Sequence, residues 1–245
     1  MIQPRAAMLL AAGLGTRMRP LTEHTAKPLL PLGGRTLLDH ALSRLAAAGV
    51  RTVVVNAHWH GDRVAAHLAA HWPGPPRVVV QREDKLLDTG GSVRAALDAL
   101  GPAPFFVVNG DAFWLDGPTA TALARLAAAW DDAALDAVLL VQRTFQIAGE
   151  IGAGDFFVGP AGRMRRRRPR EVAPYLYAGV QLLHPRLFAD APADAFSMNL
   201  LWDRAIAADR ARAVVHDGLW CHLSTPADLA TAESTLQARA VGVTR

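Results

Sequence analysis

Ala6-Ala7-Met8-Leu9-Leu10-Ala11-Ala12-Gly13-Leu14-Gly15-Thr16-Arg17 is the stretch on which the fold turns. Seven small or apolar residues without a charge, ended by a glycine, read as a strand buried on both faces, and such a strand needs helices above and below it. The pattern downstream supplies them. Leu38, Ala41, Leu42 and Leu45 repeat at helical spacing and stop before Gly49, and residues 52–56 are β-branched and apolar. The alternation continues with a helix over residues 62–71, a strand over 77–81, a helix over 92–100, a strand over 105–109, a helix over 119–130 and a strand over 137–142. Strands alternating with helices imply an α/β fold with a doubly wound, mostly parallel, Rossmann-like sheet. From Gly149 to Leu183 the texture changes to glycine, proline and short runs, and residues 154–158 and 176–183 read as antiparallel additions in the C-terminal third. Helices return at residues 185–190, 199–208 and 226–239.

Composition excludes several classes. The 245 residues are 51% apolar and 20% charged, which argues against disorder, collagen and coiled coil and predicts a packed core. That length fits one domain or one with a small annex, and no stretch reads as a linker. No apolar run approaches the roughly 18 residues of a spanning helix, and residues 6–12 are too short for a signal segment and lack a small-residue cleavage site. The expectation is a soluble, unexported chain with no membrane partner. Cys221 is the single cysteine, so neither an intrachain disulfide nor a cysteine-based metal cage forms, and a reducing cytoplasm fits. The formal net charge is +4, and part of the excess sits in Arg163, Arg165, Arg166, Arg167, Arg168 and Arg170. With no aromatic interleaving, and beside Gly162 and Pro169, that run reads as a solvated loop rather than a nucleic-acid surface.

In a doubly wound sheet, ligands bind outside the carboxyl ends of the strands, where strand order reverses. The loops after Ala12, Asn56, Gln81 and Asn109 are therefore the places to search. In the first, Met18 stands where a dinucleotide fold needs its third small residue, and no Gly-Lys-Ser/Thr follows, so neither standard phosphate fingerprint fits. Gly13 and Gly15 nevertheless let backbone amides approach an anion, Arg17 offers a planar fork, and Lys27, one of only two lysines, offers a mobile point charge. A polyphosphate is the natural guest. Asn109-Gly110-Asp111 delivers a carboxylate to the same end of the sheet, where Mg²⁺ held by few carboxylates and by substrate phosphates suits it. His58-Trp59-His60 and His67…His71 could be sketched as a zinc site, but no Glu follows His67 to make a His-Glu-x-x-His motif, and no serine sits in a Gly-x-Ser-x-Gly elbow.

Gly13-Leu14-Gly15-Thr16-Arg17, Pro20-Leu21-Thr22 and Ala26-Lys27-Pro28, continued by Asp88-Thr89-Gly90-Gly91 and Val108-Asn109-Gly110-Asp111, resemble the sugar-phosphate nucleotidyltransferases. Asn56-Ala57-His58-Trp59, Asp155 and Tyr177-Ala178-Gly179 resemble the branch that acts on N-acetylmuramate 1-phosphate, with the mannose-1-phosphate guanylyltransferases as nearest rival. The resemblance implies an enzyme joining a nucleoside triphosphate, UTP first, to a sugar-1-phosphate, N-acetylmuramate 1-phosphate first, with release of pyrophosphate. It also implies cytoplasmic cell-wall (peptidoglycan) recycling. Residues 1–245 would form a single domain, 1–130 the nucleotide-binding half and 131–240 the sugar-binding half, with no large acyltransferase or oligomerisation domain behind it. By resemblance, Arg17, Lys27 and Asp111 are catalytic; Ala11, Gly13, Gly15, Thr16, Thr89, Gly90 and Gly91 hold the nucleotide; Asn56, His58, Asn109, Asp155 and Tyr177 hold the sugar; Asp111 holds Mg²⁺. The family's second metal carboxylate falls on His222 in Trp220-Cys221-His222-Leu223-Ser224. That departure leaves two readings: His222 as a second metal or phosphate ligand, or a nucleotide-binding regulator that does not turn substrate over. Homo-oligomerisation is left open by the sequence.

Overall fold

In the computed structural model of the chain, residues 2–147 and 152–242 are described. Gly149, where the change of pattern was expected to begin, lies outside them. The first strand, β1 (Ala6–Leu10), is followed by the short β2 (Pro31–Leu32) and β3 (Arg35–Thr36), helix α1 (Leu37–Ala47), β4 (Thr52–Ala57), α2 (Gly61–His71) and β5 (Arg77–Arg82). Then come α3 (Asp88–Ala95), α4 (Leu97–Leu100), β6 (Phe105–Asn109), β7 (Phe113–Leu115), α5 (Ala122–Ala128) and β8 (Ala137–Arg143). The remainder comprises β9 (Phe156–Val158), β10 (Met164–Arg166), β11 (Tyr175–Leu183), α6 (Asn199–Ala207), β12 (Ala211–Val215), β13 (Leu219–Cys221) and α7 (Pro226–Gly242).

Among the described residues, nine strands form one sheet. β1 lies between β4 and β6, parallel to both, with Leu10 opposite Asn56 on one side and Asn109 on the other. β5 extends the parallel part beyond β4, while β11 runs antiparallel to β6, β8 and β9, and β12 pairs parallel with β8. Strand order therefore reverses between β1 and β6, and the loops leaving those two strands diverge around a crevice. Side-chain alternation along β1 sorts the two cores. Ala7 and Leu9 join Leu38, Leu42 and Leu45 of α1, Val64 of α2 and Leu126 of α5 on one face, and Met8 joins Val93, Leu201 and Trp202 from α3 and α6 on the other. A third cluster beneath α7 packs Leu32, Leu37, Phe113, Leu223 and Ala232.

The α/β, mostly parallel, doubly wound reading holds, and residues 154–158 and 176–183 do contain antiparallel strands. Several expectations need correction. The helix expected over residues 92–100 begins at Asp88 and breaks at Ala96. Its first amides have an external acceptor: Gly90 N and Gly91 N donate to the carbonyl of Phe196 at 2.9 and 3.2 Å, which satisfies orphan donors that a Gly-Gly start would otherwise leave bare. The helix expected over 119–130 is shorter because Thr121 caps it, accepting from Ala124 N at 3.2 Å. Residues 185–190 form only a 3₁₀ turn, Pro185–Phe188. The arginine-rich loop contains strand β10, and the C-terminal third carries a parallel strand, β12, that its mixed alanine and arginine composition conceals.

Candidate active site

The crevice at the sheet reversal is a cavity of about 460 Å³, within the ordinary range for ligand sites. The loop after β1 forms one wall: Ala11, Gly13, Gly15, Thr16, Arg17 and Met18 line it. That loop is pinned from below. Ala11 N donates to Asn56 Oδ1 at 2.6 Å, and Thr22 Oγ1 donates to the Gly15 carbonyl at 2.7 Å. Opposite stands Asp111, whose Oδ2 accepts from Lys27 Nζ at 2.6 Å; the lysine is 12% exposed and the carboxylate 39%. Gly110 makes this meeting possible. Its amide donates to the Leu10 carbonyl at 2.7 Å, and any Cβ there would lie 2.6 Å from the same oxygen and 2.9 Å from Pro28, so a larger residue would drive β6 away from the lysine loop. Arg17 is exposed and makes no hydrogen bond or ion pair among the described residues, which leaves its guanidinium available to an anion.

A smaller cavity of about 300 Å³ adjoins the first, and Leu10, Asp88, Thr89 and Asn109 border both. Asp155, Arg166, Tyr177 and Gln181 line it from the antiparallel part of the sheet, and Ser197, Asn199 and Trp202 from α6 and its approach. Asp155 is oriented by the amide of Tyr177, which donates to its Oδ2 at 2.9 Å. The Tyr177 hydroxyl is buried without a hydrogen-bond partner among the described residues. Burial, reinforced by the charge of Asp111, pushes its pKa well above the usual tyrosine value, so it stays a neutral donor.

Of the residues singled out from sequence, Ala11, Gly13, Gly15, Thr16, Arg17, Lys27, Asn56, Thr89, Asn109 and Asp111 line the larger cavity, and Asn109, Asp155 and Tyr177 the smaller one. Four fall elsewhere. Gly90 and Gly91 line neither; their amides donate to the Phe196 carbonyl, and a Cβ on Gly90 would collide with the Phe196 ring. His58 lies outside both cavities with Nδ1 on the Glu83 carbonyl at 2.8 Å. His222 also lines neither; it is half-buried, and burial lowers its pKa against the charge of Asp228. Asn56, expected at the sugar, belongs to the larger cavity and is fully engaged: besides accepting from Ala11 it donates to Glu83 Oε1 at 2.9 Å and Ser92 Oγ at 3.0 Å.

Residues missed from sequence include Glu83, a buried carboxylate on the floor of the larger cavity, and Gln181, which accepts from Trp202 Nε1 at 2.7 Å in the smaller one. Both carry a signal. Glu83 follows the carboxyl end of β5, and Gln181 is a polar residue within an otherwise apolar buried strand. Ser197 and Asn199 carry none, because a segment over a hundred residues downstream brings them beside Thr89, whose Oγ1 accepts from Met198 N at 3.0 Å.

Glycine-turn amides, an arginine unpaired among the described residues and a lysine–aspartate pair gathered in one crevice suit a polyphosphate. The description "MobA-like NTP transferase domain" matches residues 7–197, and the chain belongs to that family. It is 42% identical to the N-acetylmuramate alpha-1-phosphate uridylyltransferase of Caulobacter vibrioides, over 95% of this chain and 97% of that protein. It is 37% identical to a mannose-1-phosphate guanyltransferase of Aspergillus fumigatus, over 43% of this chain and 30% of that one. In fold it matches a UDP-glucose pyrophosphorylase solved with UDP-glucose at a TM-score of 0.77 and 15% identity, covering 98% of this chain and 100% of that one.

Proposed function

We propose that the protein transfers the uridylyl group of UTP to N-acetylmuramate 1-phosphate, giving UDP-N-acetylmuramate and pyrophosphate. The base and sugar rest on the full-length likeness to the Caulobacter enzyme, and the reaction type rests on one geometric observation. The Lys27–Asp111 pair, 2.6 Å apart, stands in the larger cavity at the strand-order reversal, with Asp111 two residues along the chain from Asn109, which borders both cavities. The triphosphate is assigned to the larger cavity, lined by residues 1–130 apart from Ser224, and the sugar phosphate to the smaller, which residues 131–240 complete.

The attacking group is a phosphate oxygen that is already anionic, so the displacement at the α-phosphorus needs no general base; positioning and charge neutralisation carry it. Amides of the Gly13–Gly15 turn and the Arg17 guanidinium hold the β- and γ-phosphates, which leave together as pyrophosphate. Lys27 moves from Asp111 to the α-phosphate, where negative charge builds in the transition state. Among the described residues no cluster of three metal-ligating side chains forms, and the lone Asp111 carboxylate would suit Mg²⁺ held mainly by the triphosphate, with Asp111 as its protein ligand. Bound there, the ion neutralises phosphate charge. No helix among the described residues is long and apolar enough to cross a membrane, and we place the reaction in the cytoplasm.

A screen of UTP, GTP, CTP, ATP and dTTP against N-acetylmuramate, N-acetylglucosamine, glucose and mannose 1-phosphates, read by pyrophosphate release, tests the assignment. UTP with N-acetylmuramate 1-phosphate should be fastest. GTP with mannose 1-phosphate leading would refute the substrate pair, and no turnover with any pair would favour a nucleotide-binding regulator.

A further inference from the structure

Strand β10 carries the middle of the arginine run, and its alternation decides which arginine can meet a ligand. Met164 points into the core, and Arg165 points outward, lying over the Phe157 ring at 4.1 Å and pairing with Glu171 at 2.7 Å. Arg166 points inward again, and of the six arginines between residues 163 and 170 it alone lines a cavity, the smaller of the two. Its guanidinium rests over the rings of Phe156 and Trp202 at 4.9 and 5.6 Å. Nε donates to Asp203 Oδ1 at 2.7 Å and Nη2 to Asn199 Oδ1 at 2.5 Å, while Nη1 has no partner among the described residues. The fork is thus pre-oriented with one nitrogen unused.

A neutral sugar does not call for this group. Its hydroxyls are served by Asp155 as acceptor and by Asn109 as donor, both of which line the smaller cavity. The 1-phosphate does not call for it either, because that group must reach the wall shared with the nucleotide cavity, and Arg166 is not part of that wall. What remains is an anionic substituent on the sugar ring. Resting on the sugar assigned above, we propose that Arg166 binds the lactyl carboxylate of N-acetylmuramate 1-phosphate and is the residue that selects this sugar. Asp203 is 56% exposed, so its pair with Arg166 is weak and yields to a carboxylate enclosed in the cavity, which takes Nη1 and a second N–H as a bidentate pair. The histidines after β4 bond backbone instead, His58 Nδ1 with the Glu83 carbonyl at 2.8 Å and His60 Nε2 with the Glu23 carbonyl at 2.9 Å.

The test compares kcat/KM for N-acetylmuramate 1-phosphate and N-acetylglucosamine 1-phosphate, both with UTP, in wild type, Arg166→Met and Arg166→Lys. The Met variant keeps the apolar stem on Phe156 and Trp202. Wild type should prefer the muramate by about 10²-fold or more, Arg166→Met should bring the ratio to about one, and Arg166→Lys, which keeps charge without the fork, should fall between. Affinities for UDP-N-acetylmuramate and UDP-N-acetylglucosamine by calorimetry should follow the same order, and they report even if a variant turns over slowly. A wild-type preference that survives in Arg166→Met, or an equal loss on both sugars, overturns the role of Arg166 and leaves the sugar assignment standing. A wild-type ratio near one overturns the sugar assignment itself and this role with it.

Discussion

Lys27 and Asp111 are 84 positions apart in sequence and 2.6 Å apart in space, each neutralising the other until substrate arrives. Their proposed partners during turnover differ, so each substitution has its own signature. Arg17→Ala or Lys27→Ala removes a charge-assisted contact that strengthens in the transition state and should lower kcat/KM by about 2–4 kcal/mol, with the fold intact by circular dichroism. Full activity in either folded variant would contradict the assignment. With Asp111 as the proposed metal ligand, Asp111→Asn should raise the Mg²⁺ concentration for half-maximal rate. An unchanged Mg²⁺ profile would place the metal elsewhere. At this scale the sequence was informative wherever a residue sits in a short motif that must approach phosphate. It offered the arginines of residues 162–170 to the sugar's carboxylate only as a group, because six arginines look alike until the pleat of β10 turns one of them inward.

The segment before α6 fastens the start of α3. Phe196 O takes the amides of Gly90 and Gly91, Phe196 N donates to Leu87 O at 3.1 Å, and Lys85 pairs with Asp194 at 2.7 Å. A substitution that tests the clasp is Gly90→Ala. Alanine gains about 1 kcal/mol in helix propensity, but its Cβ collides with the buried Phe196 ring, and overpacking of that kind costs about 1–3 kcal/mol. The melting temperature should therefore fall, and KM for the sugar phosphate should rise as Ser197 is displaced. A higher melting temperature would show that the ring yields freely. The same clasp explains where sequence reasoning stopped. Local periodicity found β1, α1, β4 and α2 because their apolar faces are continuous, whereas α3 starts on two glycines whose partner is a distant carbonyl. The short β7 and β13 pair only with each other, and neither is long enough to show a period.

Across the whole molecule, four histidines, His40, His184, His216 and His222, have pKa values held below the ordinary 6.5, in each case first by burial. The unfolded chain takes protons at these positions before the folded one does. Their contribution to stability is thus complete above about pH 6.5 and is lost as pH falls through the lower folded values. Asp39 and Asp136 act further down: burial raises them, but His67 and Thr36 on one, and Arg210 and Arg186 on the other, bring them below the usual carboxylate range. Melting temperature should be level from pH 7 to 8 and drop between pH 6.5 and 5. A rise on acidification would contradict that sign. The central claim is nucleotidyl transfer from a larger cavity to an acceptor in a smaller one. It is tested most directly by incubating the protein and Mg²⁺ with UTP labelled at the α-phosphorus and N-acetylmuramate 1-phosphate, then following the label. The account predicts label in UDP-N-acetylmuramate with one pyrophosphate formed per sugar consumed; label left in UTP, or released as UMP without a sugar nucleotide, would contradict it.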